Sequence, residues 1–260
     1  MTLARASNMR WLAAVTGFIL VLALGLLLPH LNFRLGKTLT HASYDWCFDL
    51  SPFPRPNVQT SGVVIVYLDE KSHKDLGQPF NQPWDRSIHA RLLDRLRAEG
   101  ARAVIFDILL TDPGPDPGAD RVLAEAIRAQ GSVVLAADYA PAGQSFTSGQ
   151  LTEVTTLVLP DEGFQRAAAA WGLAQVQPDP DFIVRQHYHG PVTENYPSMS
   201  WAAAQVAGLP VTRPAGARTR ERWVNYYGGP ETVPGVSYSQ ALFPDGVPPG
   251  FFRGDRKSVV

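Results

Sequence analysis

The chain has 260 residues, a hydrophobic content of 45% and a formal net charge of −1 at pH 7. This length allows one large domain or two small ones, and the hydrophobic content is sufficient for a packed core. The near-neutral charge gives no electrostatic reason to expect nucleic acid or another acidic polymer as a partner. The single cysteine, Cys47, excludes an intrachain disulfide.

The first predicted element is a membrane anchor over residues 11–28, an apolar segment without any charge. Its length is at the lower limit for a helix that crosses the hydrocarbon of a bilayer. A cleaved signal peptide is the alternative, because Arg5 and Arg10 provide a basic start. No small-x-small cleavage site follows Leu28, which favours an uncleaved transmembrane helix with the lipid bilayer as its partner.

A second helix is predicted over residues 29–50, because apolar residues recur there every three or four positions. These residues are Leu31, Leu35, Leu39, Ala42 and Trp46. Such a juxtamembrane helix would bury this stripe against the following domain or against a second copy of the chain. A homodimer is therefore one expected assembly.

Residues 51–254 are predicted to form an α/β domain with a three-layer-like arrangement, a parallel βαβαβ core and a hairpin. The core strands are expected at residues 63–68, 103–110 and 133–137, and the core helices at residues 86–99 and near 122–127. Two βαβ crossovers in succession imply parallel strands with right-handed connections. After the second strand, the prolines and glycines of residues 112–118 predict a rigid loop.

The second half of this domain has a less regular pattern. Its predicted elements are hairpin strands at residues 172–177 and 182–188, a turn at residues 178–181 between them, a helix near 199–206 capped by Ser198, and a strand at residues 223–227. Neither an internal repeat nor a disordered linker is evident, which favours a single domain.

Two groups of residues are candidates for a ligand site. Open parallel sheets bind ligands at the carboxyl ends of their strands, where Asp69, Asp107 and Asp138 are expected. Such carboxylates could hold a divalent cation or a cationic ligand, although carboxylates at strand ends also commonly cap loops. Trp84 and Arg86 could offer an aromatic wall and a cation to an anionic ligand, or Trp84 could simply cover the start of a helix. The candidate ligand-binding residues are therefore Asp69, Trp84, Arg86 and Asp107.

Signatures of catalysis and of cofactor binding are missing from the sequence. It contains no glycine-rich phosphate loop, no G-x-G-x-x-G and no G-x-S-x-G motif, and Asp69-Glu70-Lys71 does not match the D-x-D of phosphoryl-transfer enzymes with this layout. We therefore expect no cofactor, no metal and no catalytic residue, and the sequence favours a sensor over a soluble enzyme.

A resemblance to a known family extends over most of the chain. The segments VVIVYLDEKSHKDLG, PWDRSIHARLLDRL, GARAVIFDILLTDP, PDPDFIVRQ, PSMSWAAAQVAG and VNYYGGPETVPGVSYSQAL resemble, in order and spacing, the second type of CHASE domain. This name stands for cyclase- and histidine-kinase-associated sensory extracellular domain. The resemblance covers nearly everything from Tyr44 to Gly254. One departure is Phe182, where the family usually has glycine.

The resemblance implies an extracytoplasmic sensory domain of a bacterial signal-transduction receptor. Residues 1–10 would then lie in the cytoplasm, the chain would cross the inner membrane once, and the main domain would be periplasmic or extracellular. Its signal would be a small molecule or protein of unknown identity. Receptors of this kind typically continue into further membrane helices and a cytoplasmic nucleotide cyclase or kinase, an output domain that this chain does not contain.

The last residues depart from the family pattern. The family typically continues from Phe-Arg-Gly into a last apolar strand, whereas here Gly254 is followed by the hexapeptide Asp255–Val260. We expect residues 255–260 to be a non-native tail and the domain to be incomplete. The sheet would then lack a strand and expose an apolar edge.

Two alternatives to the receptor interpretation stay open. One is a membrane-anchored periplasmic hydrolase or metal-dependent enzyme that uses Asp69, Asp107 and Asp138. The other is a stand-alone anchored interaction domain.

Overall fold

The computed structural model describes residues 2–27, 34–50, 58, 62–147, 150–187, 196–252 and 257–259. The chain divides into two units, Met1–Arg55 and Pro56–Val260. The first unit contains helices α1 (Thr2–Leu27) and α2 (Arg34–Asp49). Within the described part of the chain, no helix combines the length and the apolarity that crossing a membrane requires.

The second unit is a mixed α/β domain. Its strands are β1 (Val63–Tyr67), β2 (Val104–Phe106), β3 (Val133–Thr147), β4 (Gln150–Val158), β5 (Ala170–Leu173), β6 (Gln186–His187), β7 (Arg222–Trp223), β8 (Gly235–Ser237) and β9 (Lys257–Val259). Its helices are α3 (Glu70–Asp75), α4 (Arg86–Ala98), α5 (Pro117–Gln130), α6 (Glu162–Ala167), α7 (Met199–Val206) and α8 (Tyr238–Leu242), with a short 3-10 helix at Pro210–Thr212.

The main sheet has the strand order β4-β3-β2-β9-β1-β8, and β5 also pairs with β3. All of these pairings are parallel except that of β3 with β4. The predicted parallel core of β1, β2 and the first part of β3 is therefore confirmed. Since all strands of the sheet except β4 run in one direction, the carboxyl ends of these parallel strands lie along one edge of the sheet.

Helices cover both faces of this sheet, as the predicted layered arrangement requires. On one face, α4 and α5 pack their leucines and isoleucines against alternate strand residues such as Val64, Val104 and Leu135. On the other face, α7 packs Ala202 against Ile105 and Val134. Because neighbouring residues of a strand point to opposite faces, strands covered on both sides are apolar at consecutive positions.

The ends of α4 and α5 follow from their sequence. Asp85 caps α4 by accepting a hydrogen bond from the Ser87 amide at 2.8 Å, as predicted. Asp116 caps α5, and Gly131 ends it in the left-handed conformation with φ of 73°. The predicted end of the loop at residue 118 is therefore wrong, because the loop ends at Asp116 and α5 begins at Pro117. Proline is favourable in the first turn of a helix.

The predicted gap in the sheet is not found. The backbone of Lys257–Val259 forms β9, which lies between β1 and β2 and pairs with both in parallel. The expected exposed edge at this place is therefore wrong, since three residues of the hexapeptide occupy the position of a central strand. That residues 255–260 are non-native stays a prediction.

The predicted hairpin around residues 178–181 is also wrong. A turn does form there, with the Phe182 amide bonded to the Asp179 carbonyl at 2.8 Å, and Arg185 holds it through ion pairs to Asp179 and Asp181 at 3.0 and 2.7 Å. The flanking strands, however, pair elsewhere. β5 joins β3 in the main sheet, and β6 pairs with β7. A strand next to β3 is covered on both faces, which stabilises β5 more than an exposed hairpin would.

Other strand boundaries differ because pairing extends or limits them. β3 does not end at Ala137 but continues to Thr147, since β4 pairs with its second half in an antiparallel hairpin. The strand predicted at residues 223–227 contains only Arg222 and Trp223, the two residues that pair with β6. Residues 188–195, which include the end of the predicted second hairpin strand, lie outside the described residues.

Phe182 offers a first testable prediction. Its φ of 63° lies in the left-handed region, and its side chain is 88% exposed, so no packing offsets the strain. We expect Phe182→Gly to raise the free energy of unfolding by about 0.5–1 kcal/mol in urea titrations. Phe243, with φ of −79°, is the control, and Phe243→Gly is expected to lower stability. Equal effects of the two substitutions would show that the backbone of Phe182 is not strained.

Candidate ligand-binding site

A cleft of about 380 Å³ opens at the carboxyl edge of the parallel sheet, between the loops that follow β1 and β2. Its walls include Phe80, Trp84, Arg86 and His89 on one side and residues 108–115 on the other. We call it the aromatic cleft. Its position agrees with the general preference of open parallel sheets to bind ligands outside the carboxyl ends of their strands.

Trp84, a predicted site residue, lies buried in one wall of this cleft. Its indole Nε1 donates to His73 Nδ1 at 3.3 Å, and its ring stands edge-on to Tyr238 with centroids 5.2 Å apart. His73 Nδ1 also lies 3.2 Å from the Gln78 carbonyl oxygen. One nitrogen cannot accept from Trp84 and donate to Gln78 at once, so the tautomer of His73 selects one of the two bonds.

Arg86, the second predicted residue in this cleft, is also buried. Its Nη1 donates to Asp120 at 2.6 Å, its Nη2 donates to the Asp112 carbonyl oxygen, and its guanidinium lies 5.0 Å from the centre of the Phe164 ring. Asp120 in turn accepts a hydrogen bond from the Gly114 amide at 2.8 Å. The ion pair therefore ties residues 112–116, which we call the proline-rich loop, to α4 and α5 and fixes one wall of the cleft.

Gly114 explains how this loop reaches the ion pair. A Cβ atom at this position would lie 2.7 Å from an Asp120 carboxylate oxygen and 3.3 Å from Arg86 Nη1. A larger residue at this position would require a shift of the loop or of these two side chains.

The floor of the cleft holds a buried pair that the sequence analysis missed. His89 Nδ1 lies 2.7 Å from the Tyr238 hydroxyl, and both side chains are buried. Burial first, and the nearby Arg86 cation second, lower the pKa of His89 to about 4. Burial raises the pKa of Tyr238 well above its usual value. Both groups are therefore neutral at pH 7.

Asp69 lies outside the aromatic cleft. It caps α3 by accepting hydrogen bonds from the Ser72 amide at 2.9 Å and from the Ser237 hydroxyl. Partial burial acts to raise the pKa of Asp69, but the hydrogen bonds from Ser237 and Ser72 together hold it below its usual value. Asp69 lines a different cleft, of about 310 Å³, together with Tyr67 and Ser237 at the carboxyl ends of β1 and β8. We call it the β1–β8 cleft.

Asp107 is exposed at the end of β2. Burial of part of its carboxylate and repulsion from Asp138 raise its pKa above the usual value. Neither of the two clefts described above includes Asp107 among its lining residues.

The predicted cluster of Asp69, Asp107 and Asp138 does not form a metal site in the described part of the chain. No group of three or more histidine, cysteine, aspartate or glutamate side chains there is arranged to hold an ion. The reason is topological, because β9 lies between β1 and β2 and separates Asp69 from the other two carboxylates.

A model of the CHASE2 domain family matches residues 15–260 of the chain. The chain belongs to the CHASE2 family. This match confirms the resemblance seen in the sequence. CHASE2 domains are sensory extracellular domains. No curated protein and no solved structure shows significant similarity to this CHASE2 chain.

Proposed function

We propose that this CHASE2 domain is the extracytoplasmic sensory domain of a bacterial membrane receptor and that its signal is a small molecule bound in the aromatic cleft. The supporting observation is the preorganised construction of that cleft. Arg86 and Asp120 fix its loop, and the neutral His89–Tyr238 pair closes its floor. A site with walls held in advance loses little entropy when a ligand binds.

We also propose that residues 11–28 anchor the domain in the inner membrane, with residues 1–10 in the cytoplasm and the sensory domain outside. The supporting observations are the uncharged stretch of residues 11–28 and the exposure of its large side chains, such as Phe18 and Leu26. Apolar side chains in such number need an apolar environment. Further membrane helices and a cyclase or kinase output would follow in the complete receptor.

We propose that α2, which lies between the anchor and the sensory domain in the sequence, carries the signal in a receptor. Leu39 and Trp46, two residues of its predicted apolar stripe, are exposed. In a homodimer these stripes could pack against each other in two arrangements, and ligand binding would favour one of them.

The enzyme alternative makes a different prediction for Asp69. Its oxygens already accept hydrogen bonds from Ser72 and Ser237, which is typical of a structural cap. Asp69→Asn keeps an acceptor for Ser72 but removes one for Ser237, so we expect a loss of about 1 kcal/mol in urea unfolding. An enzyme that uses Asp69 would in addition lose turnover of its substrate in this variant, whereas a sensory domain has no turnover to lose.

The sensor proposal itself is tested by thermal stability in a library of small metabolites. A compound that binds only the folded state raises the melting temperature without being consumed. Leu109 lines the aromatic cleft and is 48% exposed, and Val122 on α5 is 44% exposed. We expect a stabilising compound to lose its effect on Leu109→Glu and to keep it on Val122→Glu. If no compound stabilises the chain, or if both variants respond equally, the proposal is wrong.

A further inference from the structure

Two ionisable groups that border the aromatic cleft, Arg86 and His89, offer no free charge to its interior. The Arg86 guanidinium is paired with Asp120 and with the Asp112 carbonyl oxygen. His89 is buried and neutral at pH 7. The carboxylate of Asp112 is exposed and accepts a hydrogen bond from Thr111 at 3.2 Å. An anion that entered the cleft would lose its hydration without gaining a free cation from Arg86 or His89. A cation would meet only the solvent-exposed Asp112 carboxylate, and exposed ion pairs contribute about 0–1 kcal/mol.

Large apolar side chains are exposed at the mouth of the cleft. Phe80 is 60% exposed although it is held in place by stacking on His73, with ring centroids 4.1 Å apart and ring planes 12° apart. Leu68 and Leu109 are also exposed and line the same cleft. A flat apolar molecule would remove these surfaces from water and extend the aromatic stack.

The floor of the cleft supplies a group for one directional contact. Nδ1 of His89 is engaged by the Tyr238 hydroxyl at 2.7 Å. Among the residues that the structure describes, none makes a hydrogen bond to the second ring nitrogen, Nε2. Since His89 is buried and borders the cleft, a ligand that reaches the floor can use Nε2. The imidazole donates or accepts there according to its tautomer.

We propose that the ligand of the aromatic cleft is a small, uncharged, planar and mainly apolar molecule with one hydrogen-bonding group, which stacks on Phe80 and bonds to His89 Nε2. The inference rests on the proposed sensory function and adds the chemical class of the signal. A cleft of about 380 Å³ is near the lower end of the range of small-molecule sites, about 300–1,000 Å³.

Three probes that share a ring but differ in charge test this class. They are 5-fluoroindole, which is neutral, 5-fluoroindole-3-acetate, which is an anion, and 5-fluorotryptamine, which is a cation. Each is titrated into the 260-residue chain in lipid nanodiscs, and binding is followed by fluorine NMR. The signal from empty nanodiscs is subtracted. We expect the neutral probe to bind at least about tenfold more tightly than the anion or the cation. Tighter binding of either ion, or no binding of any probe, overturns the proposal.

Substitutions of His89 separate the ligand contact from the structural one. The Asn amide of His89→Asn can replace Nδ1 beside Tyr238 but offers nothing at Nε2, whereas His89→Gln reaches the Nε2 position. We expect His89→Asn to bind 5-fluoroindole about five- to tenfold more weakly and His89→Gln to recover part of that loss. Unchanged affinity of a folded His89→Asn protein overturns the role of Nε2.

Phe80 provides a second variant that does not depend on the buried floor. Phe80→Ala changes an exposed side chain, so the protein should fold. The control is Phe243→Ala, which changes an exposed phenylalanine that does not line the cleft. We expect Phe80→Ala to bind 5-fluoroindole more weakly than Phe243→Ala does. Equal affinity of the two variants overturns the stacking role. In the thermal-stability screen, a charged compound that stabilises the unaltered chain but not Leu109→Glu would overturn this ligand class. It would leave the proposed sensory function intact.

Discussion

Replacement of Arg86 by alanine is expected to lower the free energy of unfolding by about 3–5 kcal/mol, the usual cost of removing one partner from a buried ion pair. The side chains of Arg86 and Asp120 are only 9% and 21% exposed and lie 2.6 Å apart. Without Arg86, the Asp120 carboxylate loses its cation, the Asp112 carbonyl loses a donor, and Phe164 loses the guanidinium above its ring. Urea unfolding followed by tryptophan fluorescence measures this loss.

An exposed arginine on the same helix gives the matched control. Arg97 pairs with Asp94 at 3.3 Å, but the two side chains are 52% and 58% exposed. Exposed pairs of this kind contribute about 0.2–1 kcal/mol, so Arg97→Ala should change stability little. If Arg86→Ala costs no more than Arg97→Ala, then Arg86 does not hold the proline-rich loop, and the proposed preorganisation of the cleft is wrong.

The stability of the domain is expected to fall by about 3 kcal/mol between pH 6.5 and pH 4 because of His89. Its pKa is lowered from 6.5 to about 4 in the folded state, so in this window the unfolded chain binds a proton that the folded chain does not. Each unit of difference corresponds to about 1.4 kcal/mol, and the contribution is complete above pH 6.5 and is lost as the pH falls.

Urea unfolding of His89→Asn across this pH range checks the assignment, because the variant lacks the titrating ring. We expect its stability to vary much less between pH 6.5 and pH 4 than that of the unaltered chain. His187, whose pKa burial also lowers, contributes in the same direction, whereas the raised pKa of Asp107 acts in the opposite direction. The same pH dependence in the variant and in the unaltered chain would show that His89 is not the group responsible.

Much of the fold could be predicted from local patterns. The apolar runs of β1, β2 and β3 and the capped helix that begins at Arg86 are determined by nearby residues, and the structure places them as expected. The pairing of distant segments could not be predicted in this way. β9 inserts between β1 and β2, and β5 joins β3 rather than a hairpin partner, because long-range burial decides both choices.

The site was predictable only in part for the same reason. Trp84 and Arg86 follow one another closely in the chain, and the structure brings both into the aromatic cleft. Asp69 and Asp107 were predicted at the same edge of the sheet, but neither lines this cleft, and β9 lies between the strands that carry them. His89 had a usable signal, since it precedes Leu93 and Leu96 by four and seven positions on the buried side of α4. Tyr238 had none, because 149 residues separate it from His89.

Hydrogen–deuterium exchange of the full chain, with and without a compound that raises its melting temperature, tests most directly whether the aromatic cleft is the sensory site. We expect slower exchange in two segments, residues 80–89 and residues 108–114, with little change elsewhere in the domain. Slower exchange at residues 231–237, without a change at residues 80–89 and 108–114, would contradict it, because residues 231–237 line the β1–β8 cleft and would place the ligand there.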